Sequence, residues 1–383
     1  MACSRGYLVT QQRIVIGGIG ATAFGKHPGR TSLSLNVEAC RNALNDAGIE
    51  KSQVDAVFVK VPTSERHFMY GQMLCEAMGI QPRIGGAWDQ GGAANIALIS
   101  FAASSILSGQ CKVALVCYAD TPKTGNTKAF ARPKGDDARY GWLSTAAGYG
   151  MILRRHALEY GTGPEELGPI AVACRKHGAA NPLAQLREPL TLAQYEASPY
   201  LVEPLRRADC CLVSDGGGAL LVMSQATARD LKVAHPVDIL GIGQAQTSWD
   251  VHLRPDLTST CASMSAKKAF DMAKLVPADI DVAQIYDCFT IAALMTLEDY
   301  GFFPKGKGRH FVADGQIEIG GRLPINTSGG LLSETGMPGL QLIMEGVRQM
   351  RGKANLQVPG ARNCLISNQG GTMHTHSTLI LGQ

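Results

Sequence analysis

Leu35-Asn-Val-Glu-Ala-Cys-Arg-Asn-Ala-Leu-Asn-Asp-Ala-Gly48, then Val54-Asp-Ala-Val-Phe-Val59, reads as a helix running into a buried strand. Leu35, Ala39, Ala43 and Ala47 fall four apart and share one helix face. Gly48 supplies the stop, because a left-handed cap costs glycine nothing. Upstream, Arg13-Ile-Val-Ile-Gly-Gly-Ile-Gly20 is a strand ending in glycines. The pattern returns in the second half. Pro236-Val-Asp-Ile-Leu-Gly-Ile-Gly243 leads to a helix over about 263–274 and then to Ile280-Asp-Val-Ala-Gln-Ile-Tyr286. Ala43, Ala47, Val54 and Asp55 stand 226 positions before Ala269, Ala273, Ile280 and Asp281, so the chain reads as a duplication.

Each half continues alike. Asp89-Gln-Gly-Gly92 opens a helix to Ser108-Gly109, then the strand Val113-Ala-Leu-Val-Cys117. Asn326-Thr-Ser-Gly-Gly330 opens a helix to Met350, then Cys364-Leu-Ile-Ser367 and a last strand, Thr378-Leu-Ile-Leu381. Alternating strands and helices predict an α/β fold with parallel sheets and helices outside. The expected domains are an N-terminal half, 1–235, and a C-terminal half, 236–383. A stretch from about Thr121 to Asp209 has weak periodicity and reads as an inserted lid or binding lobe within the first half.

Composition narrows the function. The 383 residues carry a net charge of +4 with no long basic run, which argues against nucleic acid. Hydrophobic residues are 45 % and charged residues 18 %, a compact enzyme-like balance rather than a disordered one. The 11 cysteines are scattered and include no C-x-x-C, so neither a zinc ribbon nor a disulfide framework is expected. Free thiols suit a cytoplasmic protein. Met1 to Thr10 lacks a signal-peptide pattern, and no 18-residue apolar run suggests a membrane span. Gly18-Ile-Gly20-Ala-Thr-Ala23 fits a loose G-x-G-x-x-A. Pro28-Gly29 follows too soon for the helix a dinucleotide needs.

The stretches Ile285-Tyr-Asp-Cys-Phe-Thr290, Leu297-Glu-Asp-Tyr-Gly-Phe302 and Pro324-Ile-Asn-Thr-Ser-Gly-Gly330 resemble the thiolase superfamily. So do Val347-Arg-Gln-Met-Arg-Gly352, Gln369-Gly-Gly371 and His376-Ser-Thr-Leu-Ile-Leu381. The resemblance is to its sterol-carrier-type, lipid-transfer-protein-like branch and spans essentially the whole chain. It implies duplicated β-α-β-α-β halves in a five-layer α-β-α-β-α arrangement.

The family's catalytic groups transfer only in part. A thiolase nucleophile would stand near Gly92, and no cysteine lies between Asp89 and Ala94. The family's Gly-His-Pro becomes Gly336-Met337-Pro338, and its second cysteine falls at about Asn368. Cys, His and Cys are lost together. The framework that remains suggests Tyr286 and Asp287 as catalytic groups, with His376 and Asn368 as acid/base candidates. Ser328, Gly329, Gly330, Gly370 and Gly371 would offer backbone donors to a thioester oxygen, with Gly92, Met337 and His374 lining the site. His374 and His376 are two apart on an expected strand and would face one side.

The resemblance implies relatives without the cysteine that cleave steroid side-chain β-hydroxyacyl-CoA by retro-aldol chemistry. Those relatives carry a Tyr and a His after Ser-Glu, where this chain has Ser333-Glu334-Thr335-Gly336-Met337. Tyr286, Tyr149 or His376 would then move the proton. The implied substrate is an acyl-CoA, with no cofactor beyond its coenzyme A and no metal. The implied partners are a second copy of the chain, paired through Val113–Cys117, and a small OB-fold/zinc-ribbon protein. Arg132, Lys134 and Arg139 are candidates for the adenosine end, and the apolar residues from Leu183 to Leu205 admit a bulky acyl group. Two alternatives stay open: a thiolase or acyltransferase using another cysteine, Cys288 first, and a non-catalytic acyl-CoA or lipid-binding subunit.

Overall fold

A computed structural model describes residues 12–126, 128, 135–248 and 251–383, with the side chains of 135–137 left out. Arg132, Lys134 and the stretch Met1–Thr10 lie outside the described residues; Arg139 is exposed. The first half contains β1 (Ile14–Ala21), α1 (Ser32–Ala47), β2 (Ala56–Lys60), α2 (Tyr70–Met78), β3 (Ile84–Trp88), α3 (Ala94–Leu107) and β4 (Val113–Asp120). The inserted lobe follows: α4 (Thr145–Tyr160), α5 (Pro164–Ala180), α6 (Leu192–Glu196) and the hairpin β5 (Tyr200–Val202) with β6 (Leu205–Arg206). β7 (Gly216–Ser224) and α7 (Gln225–Asp230) close the half. The second half runs β8 (Val237–Gln246), α8 (Ala262–Ala273), β9 (Val282–Gln284), α9 (Thr290–Asp299), α10 (Arg309–Val312), α11 (Gly330–Ser333), α12 (Leu340–Met350), β10 (Asn363–Gly370) and β11 (Thr375–Gly382).

The described strands pair in the order β3-β2-β4-β7-β1-β8-β11-β10-β9. The duplication is visible in that order, since β2-β4-β7-β1 and β9-β10-β11-β8 are the same path. The halves join where β1 meets β8, Val15 opposite Asp238 and Ile16 opposite Val237. Three apolar cores separate the layers. One lies under α1 and α2, with Leu35, Ala39 and Leu74 against β1, β2 and β4. The central one holds α3 and α12 between the two halves of the sheet. The third packs α8, α9 and the inserted α4 and α5 on the far face. This is the five-layer thiolase-like arrangement.

Both Gly-x-Gly strands serve packing. A Cβ at Gly20 would collide with the α1 backbone at Ala39 and Ala43, and one at Gly243 with the α8 backbone at Ser265. The alanine face of each helix presses on a glycine strand, which explains the repeated pattern without a nucleotide. α1 starts from a reciprocal Thr31–Ser34 cap and stops at Gly48, in the left-handed conformation at φ 69°.

Four expectations change. The sheet is mixed: only β3-β2-β4 and β10-β9 are parallel. β10 and β11 are joined by the short turn Gly371–His374, and a hairpin can only be antiparallel. The helix expected from Gly330 to Met350 is broken into α11 and α12, with Gly336, Pro338 and Gly339 (φ 75°) between. The inserted lobe carries two helices of 16 and 17 residues, more regular than its periodicity suggested. β4 cannot pair across a twofold axis, because β2 and β7 already occupy both its edges. No helix of the described residues is long and apolar enough to cross a membrane.

Gly243→Ala should lower stability by about 1–3 kcal/mol, because the α8 backbone cannot yield as a side chain would. Urea unfolding checks it: the midpoint should fall at unchanged slope.

Candidate active site

The site forms where two glycine turns meet, one from each half. Asp89-Gln90-Gly91-Gly92 precedes α3, and Asn368-Gln369-Gly370-Gly371 ends β10. A Cβ at Gly91 would lie 2.7 Å from the Gly370 Cα, and one at Gly370 would collide with the Gln90 carbonyl. Half two then fixes the start of α3. Thr375 Oγ1 donates to the Gln90 carbonyl at 3.0 Å, and Ser377 Oγ donates to the Ala93 carbonyl at 2.9 Å. The Asn95 amide donates to the Pro338 carbonyl.

Tyr286 reaches this junction. Its backbone N–H donates to Ser367 Oγ at 2.8 Å, fixing the strand end. Its ring is buried in the central core, and its hydroxyl lies against Gly92, where any Cβ would collide with it and with the Gln369 carbonyl. Among the described residues no hydrogen bond to that hydroxyl is formed. Burial pushes the Tyr286 phenol well above its ordinary value, so it holds its proton.

Cys288, half-buried, faces the same region and accepts a hydrogen bond from Gln369 Nε2 at 3.4 Å. Burial pushes its thiol up to about 12. Tyr149 of α4 stacks on Phe289, ring centroids 4.3 Å apart, and donates to the Gly371 carbonyl at 3.3 Å. Arg254 Nη1 donates to the Thr372 carbonyl at 3.0 Å from the other side of the turn.

The remaining expected residues divide. Gly92, Gly370 and Gly371 stand at the junction with Tyr286. Met337 is buried in the same central core. Asn368, buried beside it, orients its amide nitrogen to the carbonyls of Ser367 (2.7 Å) and Gly339 (3.3 Å). Asp287 turns away. It accepts from the backbone N–H of Leu331 at 2.7 Å and of Leu332 at 3.3 Å, and from the Cys174 thiol at 3.4 Å. Burial raises it to about 6 despite those bonds.

Ser328, Gly329 and Gly330 form the loop that Asp287 holds. Ser328 Oγ donates to the buried Glu334 at 2.6 Å, and Asn181 grips the Ser328 carbonyl at 2.9 Å. The Gly329 N–H goes to the Asn326 carbonyl at 2.8 Å.

The two histidines do not share a strand face. His374 belongs to the tight turn, its N–H bonded to the Gly370 carbonyl at 3.0 Å and its Nδ1 accepting from the Thr372 N–H at 3.0 Å. His376 lies on β11, on the face opposite to Thr375 and Ser377, with Nε2 2.8 Å from the Tyr300 hydroxyl. Burial lowers its pKa to about 3, so it stays neutral. The described residues contain no cluster of three or more His, Cys, Asp or Glu placed to hold a metal.

Sequence reasoning passed over Gln369 and Arg254. For Gln369 a signal existed: Asp89-Gln-Gly-Gly92 and Asn368-Gln-Gly-Gly371 are nearly the same four residues. Arg254 had none, since nothing local marks which arginine folds inward.

The family model described as thiolase C-terminal domain-like matches residues 243–383. A Thermomonospora curvata protein named steroid side-chain-cleaving aldolase is 36 % identical, over 96 % of this chain and 97 % of its own. A Mycobacterium tuberculosis protein named 17-hydroxy-3-oxo-4-pregnene-20-carboxyl-CoA lyase is also 36 % identical, over 95 % of this chain and 98 % of its own. Among solved structures, the Ltp2-ChsH2(DUF35) aldolase superposes with a TM-score of 0.86 at 35 % identity, covering 97 % of each chain.

With its thiol near 12, Cys288 should resist iodoacetamide at pH 7.5, and its alkylation should rise roughly tenfold per pH unit toward that value. Peptide mass spectrometry across pH 7–10 reads it. Rapid, pH-independent labelling would contradict the buried-thiol picture.

Proposed function

Because this chain belongs to the thiolase superfamily, we propose that it cleaves a carbon–carbon bond of a β-hydroxyacyl-CoA by a retro-aldol reaction without a covalent intermediate. The observation that carries this reading is steric. The Tyr286 hydroxyl occupies the volume that a side chain at Gly92 would need. A nucleophile there and this tyrosine exclude each other, and the raised Cys288 thiol is a poor substitute.

Retro-aldol cleavage needs the β-hydroxyl proton removed and the electron pair of the breaking Cα–Cβ bond accepted by the thioester carbonyl. The β-carbon becomes a ketone, and the resulting enolate takes a proton at Cα. The hydroxyl loses one proton and Cα gains one, so no proton is gained or lost overall. A neutral phenol suits this balance. The Tyr286 oxygen accepts the hydroxyl proton as its own proton passes to Cα. Burial that keeps Tyr286 protonated favours that resting form. No cofactor beyond the substrate's coenzyme A enters these steps.

The named relatives act on steroid side chains or their CoA esters, and we extend a bulky acyl group to this chain. The stacked Tyr149 and Phe289, with Trp142 packed on Gly148, supply apolar surface beside the turn. We also assign it a partner subunit, since a structural relative is a two-component aldolase. A small OB-fold/zinc-ribbon protein fits that role. A homodimer would use β3, an edge strand with Trp88 43 % exposed, rather than the interior β4. The ten described cysteines are free thiols, which suits the cytoplasmic setting we propose.

The complex should convert a β-hydroxyacyl-CoA to a ketone and a shortened acyl-CoA, with no acyl mass added to the protein. Tyr286→Phe should lower kcat by about 10²–10⁴-fold with acyl-CoA affinity unchanged. Quenched-flow product analysis with intact-protein mass spectrometry decides it. An acylated chain would return the cysteine-nucleophile reading, and a partnered complex that binds acyl-CoA but turns nothing over would return the non-catalytic one.

A further inference from the structure

We propose that the Tyr149 hydroxyl, backed by the buried Arg254, is the hydrogen-bond donor to the thioester oxygen on which the enolate charge develops. This rests on the retro-aldol reading and adds to it a catalytic residue from the inserted lobe. The loop expected to donate is engaged in part. The N–H groups of Gly329, Leu331 and Leu332 go to the Asn326 carbonyl and the Asp287 carboxylate. Of the expected donors this removes the Gly329 N–H, and a side-chain donor from another element can add to those that remain.

Tyr149 is placed for it. α4 presses on the β10–β11 turn because its residue 148 is glycine. A Cβ there would lie 2.6 Å from Trp142 Cζ2 and 2.9 Å from Thr372 Cγ2. The Tyr149 ring is 1 % exposed and is held by its stack on Phe289, one residue after Cys288. Its bond to the Gly371 carbonyl, at 3.3 Å, is long, and its other contact is the weakly accepting Cys288 sulfur, so the hydroxyl can turn to a better acceptor. The ionisable groups acting on it are Cys288, Tyr286 and Arg254. Burial keeps the phenol protonated, and Arg254 opposes that rise. A donor needs its proton, and a nearby cation favours an oxyanion.

Arg254 is 7 % exposed, and its guanidinium bonds two carbonyls, of Thr372 and of Ser259 at 2.6 Å. Among the described residues no carboxylate stands within ion-pair distance of it. The acids nearest in charge are otherwise engaged: Asp299 with Lys305 at 2.7 Å, and Asp256 with Thr258 at 2.7 Å. Asp299 and Asp256 act on it only at a distance, so its positive charge beside the turn is not neutralised by a direct ion pair. In a water-poor site such a charge acts strongly on a developing anion. Arg254 is a positioning residue here, holding the turn and setting its field.

The test uses the partnered complex and an acyl-CoA without the β-hydroxyl, ¹³C-labelled at the thioester carbonyl. Infrared difference spectra should show the carbonyl stretch lowered on binding to the wild type and returned toward its free value in Tyr149→Phe. On the β-hydroxyacyl-CoA, Tyr149→Phe should lose about 10²–10³-fold in kcat with KM nearly unchanged. The variant keeps its ring on Phe289; should it still fail to fold, Arg254→Lys and Arg254→Met carry the test. The first should retain the shift and the second lose it.

An equal shift in wild type and Tyr149→Phe, or no shift in the bound wild type, overturns the inference. So does a variant that loses KM rather than kcat. Wild type that shifts the carbonyl but never cleaves the hydroxyacyl-CoA overturns the retro-aldol reading instead.

Discussion

Backbone meeting backbone at the two glycine turns is the constraint on which the rest of the structure depends. Gly91 and Gly370 leave no room for a side chain between them, so the halves approach more closely than any other residue type would allow. That approach places the Gln90 and Ala93 carbonyls within reach of Thr375 and Ser377 on the opposite half. α3 therefore begins where half two dictates. Tyr286 comes to rest against Gly92 by the same contact, because the Gln369 carbonyl and the phenol crowd one Cα from two sides.

Around that junction the protein spends buried polar groups on holding loops. Asp287, next to Tyr286, caps α11 through two backbone N–H groups. Asn326 closes the same loop from inside, its Oδ1 accepting the Ile285 N–H at 2.6 Å. Glu334 grips Ser328, and burial raises its carboxyl to about 7. A buried group left without a partner costs more than a made bond returns, so these residues define one loop geometry. Arg351 does similar work between halves. It bonds the Asp46 carboxylate at 2.7 Å, the His235 carbonyl at 2.8 Å and the Gly17 carbonyl at 3.1 Å. Rigidity of this kind is what a non-covalent mechanism requires, since placement replaces the nucleophile.

Much of the fold was legible because it repeats. The alanine face of α1 and the glycines of β1 recur in α8 and β8, and the strand path recurs with them. Helix caps at Thr31 and Gly48 follow from local chemistry alone. Strand direction was less legible, since parallel and antiparallel strands bury similar residues, and only the short Gly371–His374 turn forces the hairpin. The α11–α12 break was readable in Gly336-Met337-Pro338-Gly339 and was hidden by the expectation of one helix.

For the site, the chemistry of each residue type was readable and its direction was not. The sequence determined that no cysteine stands in the turn that opens α3, that a tyrosine begins the Tyr-Asp-Cys-Phe stretch, and that glycines mark both turns. These are statements about identity and order, and order suffices for them. Only the tertiary structure decided that Asp287 turns to α11, that His376 faces Tyr300, that the Gly329 N–H is already bonded, and that Tyr149 and Arg254 flank the second turn. Tyr149 and Gly371 are 222 positions apart, and Arg254 and Thr372 are 118 apart. No local pattern encodes such pairs. They exist because three cores and one sheet join are satisfied at once, and the packing of layers, not the sequence near each residue, sets where its polar atoms point.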